Sequence, residues 1–504
     1  MTETFIEALT RHVRERPEAP ALVDDRARLT WAEVSAWVEA AAGWLASRGL
    51  PRGAPVLGWL PNAAEWYLMR LASERAGLLW VPVPAAQGVR EMASVAARVR
   101  PVLLVTPTRS RGRRYLLEAD GVCAKAGIDP IRLAVLEDGL LTLAGPPAGP
   151  ARATRLDEPA HALATTGSEG TPKLSVYTLA AAAERGHAHA LLLRMTPDDV
   201  VLALSAGAGP GRTPWLAAPM AGATVIAVPI FRTEAALEAV ERERATIVCG
   251  TPAQLAMLLP HLGRFEVAAV RLWYTAGSVL QVTLAEEIEA RTNGIVLSVY
   301  GATDFGGWAA PDLDDPPVVR HRTVGRPRGG TDFRIVDHAG REVPPGESGE
   351  ILGRGPCCVA GYLGDDALAR ERWRGGWFHT GDIGRFDERG NLVILGRARD
   401  LIIRGGENIG PEEVEALLRT QPEVAQVAVV GVPDPVLGER VCACVVPRAG
   451  TLPRLEALRE HLRRQGLAHY KLPERLVIVP ALPVVGDKID RRAVAALAAD
   501  EARV

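Results

Sequence analysis

The chain has 504 residues, which is too long for one hydrophobic core, so at least two domains are expected. A formal net charge of -2, with 48% hydrophobic and 23% charged residues, is ordinary for a globular protein and argues against a nucleic acid or an anionic membrane as partner. The amino-terminal segment lacks the apolar core of a signal peptide, and no apolar run reaches the roughly 18 residues of a membrane span. The six cysteines lack zinc-ribbon spacing, which favours reduced thiols in a cytoplasmic protein.

Helical and strand patterns alternate over residues 1–150 and again over residues 200–300. Apolar residues recur at helical spacing over residues 31–47, and Gly49 follows as a C-cap signal. Strands alternating with helices predict parallel sheets that helices cover on both faces. The predicted strands are 54–60, 78–83, 101–106, 200–204, 224–228, 246–249 and 295–299, and the further helices are 214–221 and 233–244.

The pattern changes after about residue 315, where short strands are separated by Gly, Pro and Asp turns. These strands, at 333–336, 349–353, 381–386 and 392–395, predict a small β-rich subdomain over about 315–397. Helices at 411–418 and 454–465 with strands at 424–432, 440–447 and 474–479 then predict a compact α+β unit. We therefore predict an α/β fold with a large N-terminal domain over 1–397, built from layered parallel sheets, and a small C-terminal α+β domain over 398–504.

A loop rich in glycine and hydroxyl side chains follows a short apolar stretch in the middle of the chain. Its glycines permit backbone conformations that point N–H groups inward, its hydroxyls add donors, and its lysine adds positive charge, which together suit a polyphosphate. The spacing is not that of a Walker P-loop, and taken alone the segment is equally typical of a polar surface loop. The residues are Thr165, Thr166, Gly167, Ser168, Gly170 and Lys173.

A second segment, residues 300–304, comes directly after the predicted strand 295–299. Tyr300 offers a ring on which a base could stack, with Gly301 next to it. The hydroxyl of Thr303 and the carboxylate of Asp304, at the carboxyl edge of a sheet, could meet a phosphate and Mg²⁺. Taken alone, such a pentapeptide is more often a turn.

A third segment centres on Asp382, which follows a glycine, and on Arg397 further along the chain. A carboxylate beside glycine can accept hydrogen bonds from two ribose hydroxyls, and an arginine can meet phosphate or ribose oxygens. Taken alone, the two residues are typical of a turn aspartate and a surface arginine.

The fourth segment holds Lys488, on a loop near the C-terminus. A lysine placed there could reach into a cleft and neutralise charge that develops on an attacking carboxylate and a phosphate. A single lysine in a charged tail is more often simply solvated.

The order and spacing of these segments, rather than any one of them, is specific. Together they resemble the adenylate-forming superfamily of acyl-CoA ligases, aryl-acid ligases, peptide-synthetase adenylation domains and luciferases. The resemblance extends over nearly the whole chain and is especially close in the C-terminal part. The further matching stretches are 29–33, 61–62, 76–77, 324–327, 346–350, 361–362 and 405–415.

The resemblance implies two half-reactions and a mobile C-terminal domain. A small-molecule carboxylic acid attacks the α-phosphorus of Mg·ATP to give acyl-AMP and pyrophosphate, and a thiol of CoA or of a carrier-protein pantetheine then displaces AMP. The C-terminal domain rotates between the steps about a hinge, which by position is Arg399.

By motif, the resemblance also implies a role for each candidate residue. The loop 165–173 would hold the β- and γ-phosphates, Thr303 would contact the α-phosphate and Asp304 would support Mg²⁺. The implied adenine and ribose site consists of Gly277, Ser278, Tyr300, Gly301, Asp382 and Arg397, and the implied catalytic residues are Lys488, Thr303 and Asp304.

Several residues depart from the family pattern. Glu169 stands where threonine is usual, and a carboxylate among phosphates is repulsive unless it turns outward or ligates the metal. Leu174 replaces a glycine, Asp304 replaces glutamate, and Asp487 replaces the glycine before Lys488 in a segment one residue short. The aromatic-histidine element expected after residue 204 is absent.

We interpret the chain as a free-standing acyl- or aryl-acid ligase, with a monomer and a homodimer both left open. An adenylating enzyme with a non-thiol acceptor or an unusual acid, such as an amide-forming ligase or a nitrite-activating diazotase, remains an alternative, as does a non-catalytic binding module. The expected pocket walls are small and uncharged, which predicts an apolar or aromatic acid. These walls are Trp215, Thr275, Ala276, Val299, Ala302, Phe305 and Gly306.

Overall fold

A computed structural model describes most of the chain, and within the described residues the chain forms two compact units. The first, unit 1, comprises Met1–Asp332 and Gly353–Phe378, and the second, unit 2, comprises Phe333–Leu352 and His379–Val504. The predicted boundary at residues 397 and 398 stays a prediction. The described residues are 3–110, 112–135, 137, 139–143, 152–165, 173–205, 211–404, 407–434, 437–465, 467–485 and 488–500.

The helices and strands of the described residues alternate through most of unit 1. The α-helices are α1 (Phe5–Glu15), α2 (Trp31–Ser47), α3 (Ala64–Ala76), α4 (Val89–Val99), α5 (Tyr115–Ala126), α6 (Leu179–Leu192), α7 (Arg212–Ala221), α8 (Thr233–Glu243), α9 (Pro252–Leu258), α10 (Val282–Arg291), α11 (Pro317–Arg322), α12 (Asp366–Arg372), α13 (Pro411–Leu418), α14 (Leu455–Arg464) and α15 (Arg491–Asp500). The strands are β1 (Pro20–Val23), β2 (Arg28–Thr30), β3 (Pro55–Leu60), β4 (Leu79–Pro84), β5 (Leu103–Pro107), β6 (Ile131–Val135), β7 (Pro159–Thr165), β8 (Lys173–Thr178), β9 (Val200–Ala203), β10 (Thr224–Ala227), β11 (Ile247–Gly250), β12 (Leu272–Ala276), β13 (Ile295–Gly301), β14 (Trp308–Ala310), β15 (Arg326–Arg328), β16 (Asp332–Val336), β17 (Gly349–Arg354), β18 (Gly361–Tyr362), β19 (Trp373–Arg374), β20 (Trp377–Phe386), β21 (Leu392–Arg397), β22 (Ile402–Arg404), β23 (Glu407–Ile409), β24 (Val424–Asp434), β25 (Gly438–Pro447), β26 (Arg475–Ile478), β27 (Val484–Val485) and β28 (Lys488–Ile489).

Two large sheets form the framework of unit 1. The nine-stranded sheet has the order β15-β14-β13-β12-β11-β9-β10-β1-β2, and its strands from β13 to β1 are parallel. The seven-stranded sheet has the order β18-β8-β7-β4-β3-β5-β6 and is parallel from β7 to β6. The predicted α/β fold with layered parallel sheets is confirmed.

The main core of unit 1 is rich in tryptophan. Trp66, Trp80, Trp215 and Trp308 are fully buried in one cluster, to which both large sheets and the helices α2, α3, α6 and α7 contribute. Large aromatic side chains supply much of the apolar area that stabilises a core. This core lies directly behind the strand ends described below.

Unit 2 contains strands on either side of the predicted hinge. In the mixed C-terminal sheet, β24 and β25 pair antiparallel over their whole length, β26 is parallel to β25, and α13 and α14 pack against the sheet in one buried cluster. The β-rich part consists of β16, β17, β20 and β21, with β21 paired to β20. All six cysteines are thiols outside any disulfide bond, and Cys442 and Cys444 are buried in β25 as their strand-like context predicted.

Local signals account for the helix ends that the sequence predicted well. Helix α2 begins after Thr30, whose hydroxyl accepts from the Glu33 amide while the Glu33 carboxylate accepts from the Thr30 amide. Gly49 follows this helix with a left-handed φ of 65°. Helix α13 starts with Pro411 as its first residue, which suits a helix start because that position needs no amide donor.

Gly58 in β3 provides a test of the packing of this framework. A Cβ added at Gly58 would overlap the indole of Trp80, which is fully buried. Gly58→Ala is therefore expected to lower the free energy of unfolding by about 1–3 kcal/mol, because overpacking forces neighbouring side chains to shift. The measurement is the midpoint of urea unfolding at neutral pH.

Gly121→Ala is the matched control, because Gly121 lies inside helix α5 and an added Cβ there meets nothing within 4 Å. It is expected to raise stability by about 0.5–1 kcal/mol, since alanine loses less backbone entropy than glycine in a helix. Equal midpoints for the two variants would contradict the packing described at Trp80.

Candidate active site

Several of the predicted nucleotide-binding residues lie together at the carboxyl ends of β12 and β13. These strands are parallel neighbours, and their register pairs Ala276 with Val299. Gly277 and Ser278, which follow β12, therefore lie beside Tyr300. Gly277 has a left-handed φ of 94°, and both residues are exposed. The carboxyl edge of a parallel sheet is where α/β proteins bind ligands.

A tight turn after β13 holds Thr303 and Asp304. The carbonyl of Ala302 accepts hydrogen bonds from the amides of Phe305 at 3.2 Å and of Gly306 at 2.9 Å. The Phe305 ring is fully buried and stacks on Phe378, with the ring centroids 5.1 Å apart. Gly306 has a φ of 91°, and an added Cβ would overlap the Cys357 carbonyl, so only glycine fits there.

Two tyrosines of the seven-stranded sheet bind this turn through its backbone. The hydroxyl of Tyr177 in β8 donates to the Thr303 carbonyl, and the hydroxyl of Tyr362 in β18 lies 3.4 Å from the Asp304 carbonyl. Burial raises the pKa of the Tyr177 hydroxyl, so it remains a donor at neutral pH. The turn of one sheet is thereby attached to the edge of the other.

Lys173 is the first residue of the strand that carries Tyr177. Side chains alternate along a strand, so Lys173 and Tyr177 project from the same face of β8. Leu174 projects from the opposite face and is fully buried in a separate apolar cluster. Packing thus explains the leucine at this position, which departs from the family pattern.

The predicted phosphate loop lies mostly outside the described residues. Its ends are described: β7 and β8 form an antiparallel hairpin in which Thr165 is paired with Lys173. Thr166, Gly167, Ser168, Glu169 and Gly170 lie outside the described residues, as does the side chain of Thr165. Residues 166–172 therefore connect the carboxyl end of β7 to Lys173, the first residue of the strand that also carries Tyr177.

Most of the predicted pocket walls are buried around the same strand ends. Thr275, Ala276 and Val299 are buried at the ends of β12 and β13, and the Thr275 hydroxyl has no hydrogen-bond partner among the described residues. Ala302 is half-buried in the turn. Trp215 instead packs deep in the core, where its ring centroid lies 4.9 Å from that of His161.

Two buried arginines beside these walls escaped the sequence interpretation. Arg185 in α6 donates to the carbonyl of Gly306, and Arg212 at the start of α7 donates to the Tyr177 hydroxyl at 2.9 Å. The sequence could not identify these two arginines as charged groups near the pocket, because both lie in segments without a recognisable motif.

Asp304 is the predicted magnesium ligand, and its surroundings fit a metal that is shared with phosphates. Within the described parts of the chain, no three His, Cys, Asp or Glu side chains are grouped as a metal site. Mg²⁺ commonly keeps several waters and takes one or two carboxylates together with substrate phosphates. A single carboxylate is therefore compatible with an ion that ATP brings with its phosphates.

In unit 2, Asp382 and Arg397 are brought together across β20 and β21. They are directly paired in the strand register, and Arg397 Nε lies 3.1 Å from Asp382 Oδ1. The Asp382 side chain is mostly buried, its amide donates to the Thr380 hydroxyl, and about half of the Arg397 side chain is exposed. The two predicted ribose-binding residues are thus neighbours.

Also in unit 2, Lys488 begins the second strand of a small hairpin, in which it is paired with Val485. The side chain of Lys488 lies outside the described residues, as does that of Arg399 in the turn Ala398–Asp400. Helix α15 starts directly after the hairpin with Arg491. Its guanidinium binds Glu415 at 2.6 Å and lies 3.9 Å from Asp400, next to the predicted hinge residue.

Comparison with known proteins gives matches over most of the chain. The family described as AMP-binding enzyme matches residues 9–363, and the one described as AMP-binding enzyme C-terminal domain matches residues 413–486. The medium-chain fatty-acid–CoA ligase of Escherichia coli is 31% identical over 93% of this chain and 86% of that protein. The salicyl-AMP ligase / salicyl-S-ArCP synthetase of Mycobacterium tuberculosis is 34% identical over 97% of this chain and 90% of that protein.

A solved structure gives the same result for the fold. The amide bond synthetase McbA from Marinactinospora thermotolerans superposes with a TM-score of 0.86 at 28% identity, covering 98% of this chain and 100% of that chain. No described helix has the length and apolar character needed to cross a bilayer. The chain therefore belongs to the AMP-binding enzyme family, and it is an AMP-forming ligase that activates a carboxylic acid as an acyl adenylate, as the acid–thiol ligases of that family do.

Proposed function

We propose that at the turn after β13 a carboxylate attacks the α-phosphorus of ATP, which gives acyl-AMP and releases pyrophosphate. The thiol of CoA or of a pantetheinyl carrier protein then takes the acyl group and releases AMP. One observation carries the proposal. The Tyr177 hydroxyl attaches the Thr303–Asp304 turn to the strand that begins with Lys173. This arrangement suits a nucleotide whose phosphates meet the residues of both sheets.

The proposed nucleotide site combines groups that position ATP and groups that neutralise charge. Gly277, Ser278 and Tyr300 hold adenine, and Asp382 with Arg397 binds ribose. Thr303 contacts the α-phosphate and Asp304 supports Mg²⁺. The remaining phosphates meet the loop 165–173, including Lys173. Such chemistry depends on positioning and on preorganised charge rather than on a nucleophilic side chain.

The acid and the acceptor are proposed from the walls and from the relatives. Ala276, Val299 and Phe305 are apolar and buried, which supports an apolar or aromatic body for the acid. One relative is named as a fatty-acid–CoA ligase and another as a salicyl-S-ArCP synthetase. Both names support a thiol as the second substrate.

A second candidate function keeps adenylation and replaces the thiol by an amine. The structural relative named as an amide bond synthetase favours it, because its fold covers 98% of this chain. The altered segment around Asp487 also supports an acceptor other than CoA. Product analysis with CoA, a pantetheinyl carrier and an amine, each supplied with the same preformed adenylate, separates the candidates.

The first test is ATP–pyrophosphate exchange with a panel of aliphatic and aromatic acids. We expect exchange with at least one acid, because adenylation is reversible until the acceptor is added. Mass spectrometry of the quenched enzyme identifies the trapped adenylate and therefore the acid. ATP binding without exchange for any acid in the panel would instead favour a non-catalytic binding module.

Lys488→Ala tests which half-reaction depends on the lysine. We expect adenylation to fall by about 10²–10³-fold, because a positioned charge that stabilises the transition state is lost. Transfer from a supplied acyl adenylate to the thiol should be largely unchanged. The measurements are the rate of pyrophosphate release and the rate of thioester formation.

Lys125→Ala is the control, since the chain has four lysines, namely Lys125, Lys173, Lys471 and Lys488, and Lys125 is exposed on helix α5. It removes the same charge and should leave both rates unchanged. A normal rate of pyrophosphate release by Lys488→Ala would show that another group stabilises the adenylation step.

Tyr177→Phe tests the attachment of the turn to β8. We expect kcat/KM for adenylation to fall about 10- to 100-fold, because small displacements of positioned groups are costly, while unfolding becomes easier by about 1 kcal/mol. Pyrophosphate release measures the first effect and urea unfolding measures the second.

Tyr115→Phe is a close match for Tyr177→Phe. Tyr115 is also buried, donates its hydroxyl to a backbone carbonyl, that of Ala85, at 2.6 Å, and lies under an arginine, Arg113. This control should lose similar stability and keep full activity. Equal losses of activity in the two variants would mean that the Tyr177 hydroxyl serves stability alone.

A further inference from the structure

Arg185 and Arg212 are two buried cations without a carboxylate partner. Both are at least nine-tenths buried, and within the described part of the chain neither forms an ion pair with a carboxylate. Their guanidinium groups donate hydrogen bonds to neutral oxygens, the carbonyl of Gly306 and the hydroxyl of Tyr177. Each also lies over an aromatic ring, Arg212 at 4.3 Å from the centroid of Tyr177 and Arg185 at 5.8 Å from that of Trp308. A guanidinium stays protonated in proteins, so two positive charges are buried here without a carboxylate partner.

Other buried arginines of unit 1 show the usual solution. Arg320 binds Glu289 at 2.9 Å, and Arg70 binds Glu74 at 3.1 Å. Burial of a charge is unfavourable unless it is paired and hydrogen-bonded. The uncompensated pair beside the turn is therefore an exception within its own unit, and its cost calls for a function.

The two guanidiniums are close enough to repel each other. Burial, followed by the charge of Arg212, lowers the pKa of Arg185 to about 10, which still leaves it charged at neutral pH. Helices α6 and α7 approach closely at Gly186, where an added Cβ would crowd the Leu216 carbonyl. The close contact of these helices holds the two charges side by side.

Unpartnered polar atoms lie at and beside the pair. Within the described residues, Arg212 Nε has no hydrogen-bond partner although it is buried, and the same holds for His189 Nε2. Burial and the charge of Arg185 keep the pKa of His189 well below its usual value, so this imidazole is neutral. Its Nδ1 faces the Arg185 carbonyl at 3.1 Å and must donate there, which leaves Nε2 as an acceptor.

The charges also lie next to the turn. A Cβ added at Gly301 would be 3.8 Å from Arg185 Nη2, so this guanidinium lies against the backbone between Tyr300 and Ala302. Ala276, one of the predicted pocket walls, ends β12 and belongs to the same buried cluster as residues of α6 and α7. An acid whose reacting carboxylate meets the nucleotide at Thr303 would thus reach the arginines with its other end.

We infer that the acid activated by this enzyme carries a second carboxylate, which Arg185 and Arg212 bind. This inference rests on the proposed adenylation at the turn after β13 and adds the class of the substrate. Two guanidiniums suit a carboxylate because their donors match its oxygens, and the bound anion supplies the charge that the protein lacks. The apolar walls contact the body of the acid between its two carboxylates.

Matched acids provide the test: succinate against butanoate, and isophthalate against benzoate. In ATP–pyrophosphate exchange, the dicarboxylate of at least one pair should have a kcat/KM about 10- to 100-fold above its monoacid, since bonds between charged groups are strong. Arg212→Met and Arg185→Met should bring this ratio close to one. Arg212→Lys keeps the charge and should keep part of the ratio.

A binding measurement keeps the inference separate from the proposed function. At millimolar concentration, the dicarboxylate should raise the melting temperature of the wild-type enzyme by about 3 °C or more, and the matched monoacid should not. If no acid supports exchange, the proposed function fails, while this difference in melting temperature still decides the inference. Equal effects of dicarboxylate and monoacid on the wild-type enzyme would overturn it.

Stability distinguishes a binding role of the arginines from a structural one. Without ligand, Arg212→Met should melt no lower than the wild-type enzyme, because it removes an unpaired buried charge. Arg320→Met, which removes a buried arginine from an ion pair, should melt lower because Glu289 is left unpaired. A loss of stability by Arg212→Met equal to that of Arg320→Met, with an unchanged preference between the acids, would identify Arg212 as a purely structural residue.

Discussion

The hydroxyl of Tyr177 connects the two large sheets of unit 1 beside the carboxyl end of β13. It accepts a hydrogen bond from Arg212 and donates one to the Thr303 carbonyl, so one oxygen joins helix α7, strand β8 and the turn after β13. The residues proposed to bind the phosphates and their metal come from both sheets, Lys173 from one and Thr303 with Asp304 from the other. Their relative positions therefore depend on this one connection, and the packing of Phe305 and the conformation of Gly306 fix the rest of the turn.

A buried polar connection of this kind has an energetic consequence. Chains of hydrogen bonds in a poorly hydrated interior are strong when complete and costly when one partner is missing. Here the series of hydrogen bonds begins at the guanidinium of Arg212, which has no carboxylate partner among the described residues. Without a bound anion, the protein therefore carries the cost of a buried charge that no carboxylate balances. Active sites often accept such costs because the same groups are stabilised when the ligand is bound. The arrangement therefore trades stability of the empty site for affinity toward anions.

The fold could be predicted largely from sequence because its signals are local. The alternation of strands and helices, the capping box of α2 and the proline that starts α13 act within a few residues. The predicted strand 295–299 continues to Gly301, because Tyr300 and Gly301 pair with β14, and that strand carried no alternating pattern. Strand β20 begins at Trp377 rather than at residue 381 for a similar reason, since its first residues pair with the short strand β19.

The site could be predicted only as far as its motifs extend. Tyr177 lies four positions after Lys173, so the alternation of a strand could have marked it as facing the site, but its partner Thr303 is 126 residues away. The contact between Arg185 and Gly306 spans 121 residues. Such contacts depend on how two sheets and two helices pack, and no local pattern encodes that. At Leu174 the structure explains what the sequence left open. The leucine departs from the family pattern because its side chain occupies a buried apolar position, and not because the chemistry is altered.

The proposed hinge at Arg399 can be judged by the strengths of the contacts around it. Arg491, at the start of α15, binds Glu415 at 2.6 Å and 3.1 Å, and both residues lie on the C-terminal side of the hinge. Across the hinge, Gly396 lies against Glu412, whose Oε2 has no hydrogen-bond partner among the described residues. The hydrogen bonds of Arg491 thus join α13 to α15, whereas the contact of Gly396 with Glu412 involves a carboxylate oxygen without a hydrogen bond. A rotation at Arg399 would therefore leave the bonds between α13 and α15 intact.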